Sequence, residues 1–104
     1  MNILLACAGG FSTSLLVERM KKSAADQNKN YHIKAIAFNN LKQNLNDIDV
    51  VLLGPQIKNS LAVAKEIIGD KKIPVALIKM KDYGRVDGNA VLKFAEELYE
   101  DNKK

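Results

Sequence analysis

A single α/β domain is the predicted fold, with a four-stranded parallel sheet in the order 2-1-3-4 and helices on both faces. Three observations predict it. The 104 residues suffice for one core and not for two. Short apolar runs recur four times, as in strands covered on both sides. Amphipathic or turn-forming stretches separate them, so the pattern reads βαβαβαβα. Right-handed crossovers then place helices on both faces of a parallel sheet. One domain over residues 1–104 is expected, with no internal repeat or linker.

The elements follow in order. Asn2-Ile-Leu-Leu-Ala6 is the first strand. Cys7-Ala-Gly-Gly-Phe-Ser-Thr-Ser14 comes next, with two glycines for a tight turn and hydroxyl residues to cap a helix. From Leu15 the period changes: Leu16, Met20 and Ala24 share one helical face with Val17 beside them. Polar Asp26 to Asn30 ends that helix. Tyr31 to Phe38 is the second strand, and polar His32 and Lys34 alternating with apolar neighbours put it near an edge. Asn39 and Asn40 cap a short helix through Leu41 and Leu45.

Asp49-Val-Val-Leu-Leu-Gly54 is the most apolar run, a central strand that Pro55 stops. Asn59 to Gly69 is helical, with Val63, Ile67 and Ile68 expected inside and Gly69 as the stop. Ile73 to Ile78 is the fourth strand, where Pro74 is tolerable at an edge or strand start. Lys79 to Asp87 reads as a polar loop. The last helix runs from Asn89 to Asp101 and buries Leu92, Ala95 and Leu98 or Tyr99. Phe38 and Phe94 are expected in the core.

Composition narrows the function classes. One cysteine precludes an intramolecular disulfide and fits a reducing compartment. No run approaches the roughly 20 apolar residues of a membrane helix. The apolar start lacks the basic region of a signal peptide. A cytoplasmic protein is therefore expected, and a monomer, since no element suggests an obligate interface. The net charge of +4 is spread over scattered lysines with no interleaved aromatics, so nucleic-acid binding is not expected. A mildly positive field instead favours an anionic ligand or an acidic partner. With His32 the only histidine and Cys7 the only cysteine, neither a metal site nor a cofactor is expected, and His32 reads as a surface residue.

In the order 2-1-3-4, ligands bind beyond the carboxyl ends of the first and third strands, where the connections diverge. Cys7 lies just past the first strand and the Gly54-Pro55-Gln56 corner just past the third. Backbone N–H groups of the Cys7 loop, with the following helix N-terminus, suit a tetrahedral anion. The same field favours a nucleophilic thiolate. A lone cysteine near a strand end is also a common small hydrophobe of the core, and the spacing alone leaves both readings open. Gln56 either approaches Cys7 or satisfies backbone groups of its turn. Tyr83 either rims a partner surface or belongs to an ordinary polar loop, as do Asp82, Arg85 and Asp87.

Cys7-Ala-Gly-Gly-Phe-Ser-Thr-Ser-Leu-Leu-Val17 resembles the phosphorylation loop of the lactose/cellobiose-type enzyme IIB components of the bacterial sugar phosphotransferase system. Val51-Leu-Leu-Gly-Pro-Gln-Ile57 and Asp82-Tyr-Gly84 also resemble that family, and the likeness extends over essentially the whole chain. The family often has Ala where Gly9 stands and Met where Phe11 stands; neither change removes a donor. The resemblance implies that Cys7 accepts a phosphoryl group from a phosphohistidine of enzyme IIA. It further implies delivery to a β-linked, cellobiose-like sugar held by membrane-embedded enzyme IIC. Ala8, Gly9, Gly10, Phe11, Ser12, Thr13 and Ser14 would then form the amide cradle, with the Ser12 and Thr13 hydroxyls as further donors.

The alternative is a low-molecular-weight cysteine phosphatase or an arsenate reductase, which also hold a cysteine after the first strand. Their loop has the form Cys-x5-Arg-Ser/Thr. Here Thr13 holds the arginine position, so the guanidinium fork is missing, and there is no further cysteine for a thiol cascade. A receiver-like module would need acidic residues where Cys7 and Gly54 stand, and a nucleotide loop would need Gly-Lys-Ser/Thr after the glycines.

Overall fold

The computed structural model describes residues 1–8 and 11–103; Gly9, Gly10 and Lys104 lie outside the described residues, as do the side chains of Phe11 and Ser12. Four strands form one parallel sheet: β1 (Asn2–Cys7), β2 (His32–Ala37), β3 (Val50–Leu53) and β4 (Val75–Leu77), in the order β2-β1-β3-β4. The predicted order holds. Four helices accompany them: α1 (Phe11–Asp26), α2 (Leu61–Ile68), α3 (Met80–Gly84) and α4 (Gly88–Asn102).

Alternation along the central strands divides the core in two. Ile3 and Leu5 of β1, with Val50 and Leu52 of β3, face α1 and α4. Leu4 and Ala6, with Val51 and Leu53, face the opposite layer, made by α2 and the Leu41–Leu45 segment. All eight are essentially inaccessible to water. Burying a leucine this completely is worth about 2 kcal/mol, which is why the most continuously apolar strands settle at the centre. On the edge strand β2, His32 and Lys34 are exposed while Ile33 is buried, as the alternation predicts. The other edge accommodates Pro74, whose carbonyl accepts from Val51 N–H and which needs no donor of its own.

Helix faces follow their period with one exception. Leu16, Val17, Met20 and Ala24 of α1 are buried. In α2 the buried pair is Ala64 and Ile68; Ile67 is half-buried and Val63 is 46% exposed, contrary to expectation. Two 3-10 turns over Pro55–Ser60 precede α2, so the helix starts at Leu61 and its inner face rotates relative to a helix begun at Asn59. The expected short helix through Leu41 and Leu45 is a pair of 3-10 turns, Phe38–Asn40 and Lys42–Asn44, that still buries both leucines. Phe38 and Phe94 pack against the core while remaining partly accessible.

The layer formed by α1 and α4 is tight at one point. A methyl group on Gly88 would stand 2.5 Å from the backbone carbon of Arg19 and 2.7 Å from its oxygen. Only glycine permits this approach without displacing a helix. Gly88→Ala is therefore expected to destabilise the fold by about 1–3 kcal/mol. Gly84→Ala, where nothing lies within 4 Å of the added carbon, should be neutral or mildly stabilising. Thermal melting of the two variants checks the contrast.

At the amino end of the sheet, Glu96 of α4 accepts hydrogen bonds on one oxygen from Lys29 Nζ and, at 2.6 Å, from Tyr31 Oη. Burial opposes the charge on Glu96, but hydrogen bonds from Lys29 and Tyr31 outweigh it and hold the carboxyl below its usual range. Burial and then the Glu96 carboxylate push the Tyr31 phenol up to about 12. For Glu96 the folded value is the lower one, so its contribution is present above about 4.5 and is lost as pH falls through the folded value. For Tyr31 the folded value is the higher one, so its contribution is present below 10.0 and is lost as pH rises through about 12. Urea titrations should show Glu96→Gln costing about 1 kcal/mol at neutral pH, with the difference from wild type shrinking below pH ~4.5.

Candidate active site at the carboxyl edge of the sheet

Cys7 is the last residue of β1 and pairs with Ala37 of β2. One strand over, Gly54 N–H donates to Ala6 O at 2.9 Å, so Gly54 lies beside Cys7. From here the two connections part: Cys7 leads to α1 on one face and Gly54 to α2 on the other. The sheet order thus brings the two predicted corners to one place. A methyl group on Gly54 would meet Gln56 Oε1 at 2.7 Å, Cys7 Cβ at 3.3 Å and Tyr83 Cε1 at 3.8 Å. Glycine leaves room there for three side chains to converge. Gln56 is exposed, and its amide folds back over Gly54 toward the cysteine.

Cys7 is 4% exposed and Thr13, the third residue of α1, is 2% exposed. Thr13 Oγ1 donates to Cys7 Sγ at 3.1 Å and lies 2.7 Å from Tyr83 Oη. Cys7 Sγ also approaches the Ile36 carbonyl of β2 at 4.0 Å. Among the described residues Thr13 is the one fully buried polar side chain, and a buried hydroxyl must find partners. It finds a sulfur on one side and a phenol on the other. α1 begins at Phe11, so its first-turn N–H groups lack intrahelical acceptors and its positive end lies at the Cys7 corner. Ala8 and Ser14 are exposed. Gly9, Gly10 and the side chains of Phe11 and Ser12, all expected in the anion cradle, lie outside the described residues.

Tyr83 comes from a segment expected to be a polar loop. Instead, α3 carries it. The helix is closed at its carboxyl end by two bonds, Asp87 N–H to Asp82 O at 2.9 Å and Val86 N–H to Tyr83 O at 3.0 Å, the pattern of a Schellman cap. The left-handed position of that cap, normally glycine, is Val86 with φ 51°. A β-branched residue is strained there by about 1–2 kcal/mol. Val86 packs against the α1/α4 core, and Arg19 Nη1 donates to its carbonyl at 3.2 Å. Asp87 then caps α4, its side chain accepting from Ala90 N–H at 3.0 Å. These contacts fix the turn that presents Tyr83 to Thr13. The signal the sequence does carry here belongs to the next helix, since Asp87 is a good N-cap for α4.

Comparison with known proteins agrees with this architecture. The family described as "PTS system, Lactose/Cellobiose specific IIB subunit" matches residues 2–94. The chain is 45% identical over 104 residues to the cellobiose-specific EIIB component of Lactococcus lactis subsp. lactis, covering 92% of this chain and 94% of that one. It is 44% identical over 104 residues to the galactose-specific EIIB component of Lactococcus lactis subsp. cremoris, with the same coverage. The solution structure of the cellobiose-specific phosphotransferase IIB component from Borrelia burgdorferi superposes with a TM-score of 0.81 at 41% identity, over 98% of this chain and 94% of that one. The chain also matches 18% of the length of a lactose-specific EIICB component of Lactococcus lactis, at 26% identity over 103 residues and 95% of this chain.

A parallel α/β domain with a buried cysteine at its switch point thus belongs to the lactose/cellobiose-specific IIB family of the sugar phosphotransferase system. Proteins of this family are phosphotransferase components. Among the described residues, no helix is long and apolar enough to cross a membrane.

Proposed function

We propose that this protein is a phosphoryl carrier that takes phosphate from a phosphohistidine of enzyme IIA onto Cys7. It passes that phosphate to a β-linked, cellobiose-like disaccharide held by membrane enzyme IIC. The observation that carries the reading is the surroundings of the sulfur. Cys7 ends β1 beside the start of α1, and a threonine hydroxyl, rather than a guanidinium, stands 3.1 Å from Sγ.

The chemistry runs in two steps. In loading, the Cys7 sulfur supplies the electron pair of the new S–P bond, and the donor imidazole keeps the pair of the broken N–P bond. In discharge, a sugar hydroxyl oxygen forms the O–P bond, the S–P bond breaks, and sulfur leaves with its pair as thiolate. The hydroxyl proton goes to a base on the partner. The first-turn amides of α1 and the backbone of residues 8–14 are the proposed phosphate cradle. Gln56, whose Oε1 packs over Gly54 next to Cys7 Cβ, is the proposed further contact to the phosphoryl group or an incoming partner.

The existence of relatives in which this domain is one part of an EIICB chain supports the IIC partnership. The carrier then works as a monomer at the inner membrane face, reaching the membrane through that partner. The cellobiose-type sugar is proposed from the names of the more similar relatives.

Intact-mass measurement after incubation with a phosphorylated IIA donor should show the mass of one phosphoryl group, mapped to Cys7. Cys7→Ser should fold and show neither this adduct nor sugar phosphorylation. Sugar phosphorylation at the wild-type rate by Cys7→Ser would refute the assignment.

A further inference from the structure

The Thr13 hydroxyl has one hydrogen. That hydrogen is directed to Cys7 Sγ. The 2.7 Å contact between Thr13 Oγ1 and Tyr83 Oη is therefore made with the Tyr83 hydroxyl as donor. The result is a one-way chain, phenol O–H to threonine O–H to sulfur, in which each donation polarises the next. Its middle member is 2% exposed, so water does not compete for it. Its far end is held by the strained cap at Val86, by Arg19 and by the Asp87 cap. A surface tyrosine needs no such support.

We infer that Thr13 and Tyr83 form a hydrogen-bond relay that stabilises the Cys7 thiolate, with Thr13 touching the reacting sulfur and Tyr83 acting through it as a positioning residue. This deepens the carrier reading and rests on it for its catalytic meaning. During discharge the S–P bond breaks and negative charge builds on sulfur as it takes the electron pair. The relay donates toward that charge and accepts none, so it is stronger late in the step than in the phosphorylated state, where sulfur is neutral. An interaction that strengthens as charge develops accelerates the step.

The test uses iodoacetamide, which reports sulfur nucleophilicity without any partner protein. Tyr83→Phe keeps the ring and removes the donor. Its Cys7 alkylation rate at neutral pH is expected to fall about three- to tenfold, the worth of one net hydrogen bond. Thr13→Val should lose at least as much, and Thr13→Ser, which keeps the hydroxyl, should recover most of it. The double variant Thr13→Val/Tyr83→Phe should be no slower than Thr13→Val, as a relay that reaches sulfur through Thr13 requires. Thermal melting of each variant identifies losses that come from misfolding. A Tyr83→Phe rate equal to wild type in a folded protein, or losses that multiply in the double variant, would overturn the relay. The carrier reading fails separately, if wild-type Cys7 takes up no phosphoryl group from a phosphohistidine donor.

Discussion

Everything at this site depends on where one buried hydroxyl can find partners. Thr13 sits in the first turn of α1, closed off from water, between Cys7 Sγ and Tyr83 Oη. A buried hydroxyl without partners costs 1–3 kcal/mol, so the surrounding elements are tied to this geometry. β1 must end at Cys7, α1 must begin within a few residues, and α3 must bring a phenol from 70 positions away. The last requirement reaches furthest into the fold. Tyr83 is held by a cap with valine in a left-handed conformation, Val86 is held by the α1/α4 layer, and that layer closes only because Gly88 lets α4 touch the backbone of Arg19.

Much of this was readable from the residues. The continuous apolar runs at 3–6 and 50–53 marked the centre of the sheet, and polar alternation at His32 and Lys34 marked an edge. The order of the sheet follows, and with it the meeting of Cys7 and Gly54. The inner face of α1 was legible because Leu16, Met20 and Ala24 repeat at helical spacing. The inner face of α2 was not, because the 3-10 turns after Pro55 shift where the α-helical period begins, and Val63 rotates outward. The segment from Lys79 to Asp87 read as a loop because most of its residues are polar. Its helix is only five residues long and is stabilised by a cap that composition does not signal.

The sequence pointed to the neighbourhood of Cys7 but not to the contacts the structure makes there. Cys7 and the hydroxyl-rich start of α1 stood out as an anion corner. Thr13 stood out as a possible donor and Tyr83 as a residue near the mouth, but nothing in the sequence joined them. That link depends on the path of α3 and on side-chain orientation, which periodicity does not encode. Gln56 was placed between two readings, and the packing of its Oε1 over Gly54, next to Cys7 Cβ, favours the one that brings it to the cysteine.

The same local chemistry separates a carrier from a phosphatase. Hydrolysis of a cysteinyl phosphate needs a group that stabilises charge on the transferring oxygens and a base that activates water. The threonine at position 13 donates to the sulfur and offers no guanidinium fork to those oxygens. His32, the only histidine, lies on the edge strand at the opposite end of the sheet from Cys7. On the proposed carrier reading, such a site would hold its phosphate until a partner brings the acceptor and the base. The most direct measurement is the decay of the purified phosphorylated protein, alone and with membranes carrying IIC and sugar. The account predicts slow release of inorganic phosphate alone and rapid transfer to sugar with the membranes. Rapid loss to water without partner, or efficient turnover of aryl phosphates, would contradict it.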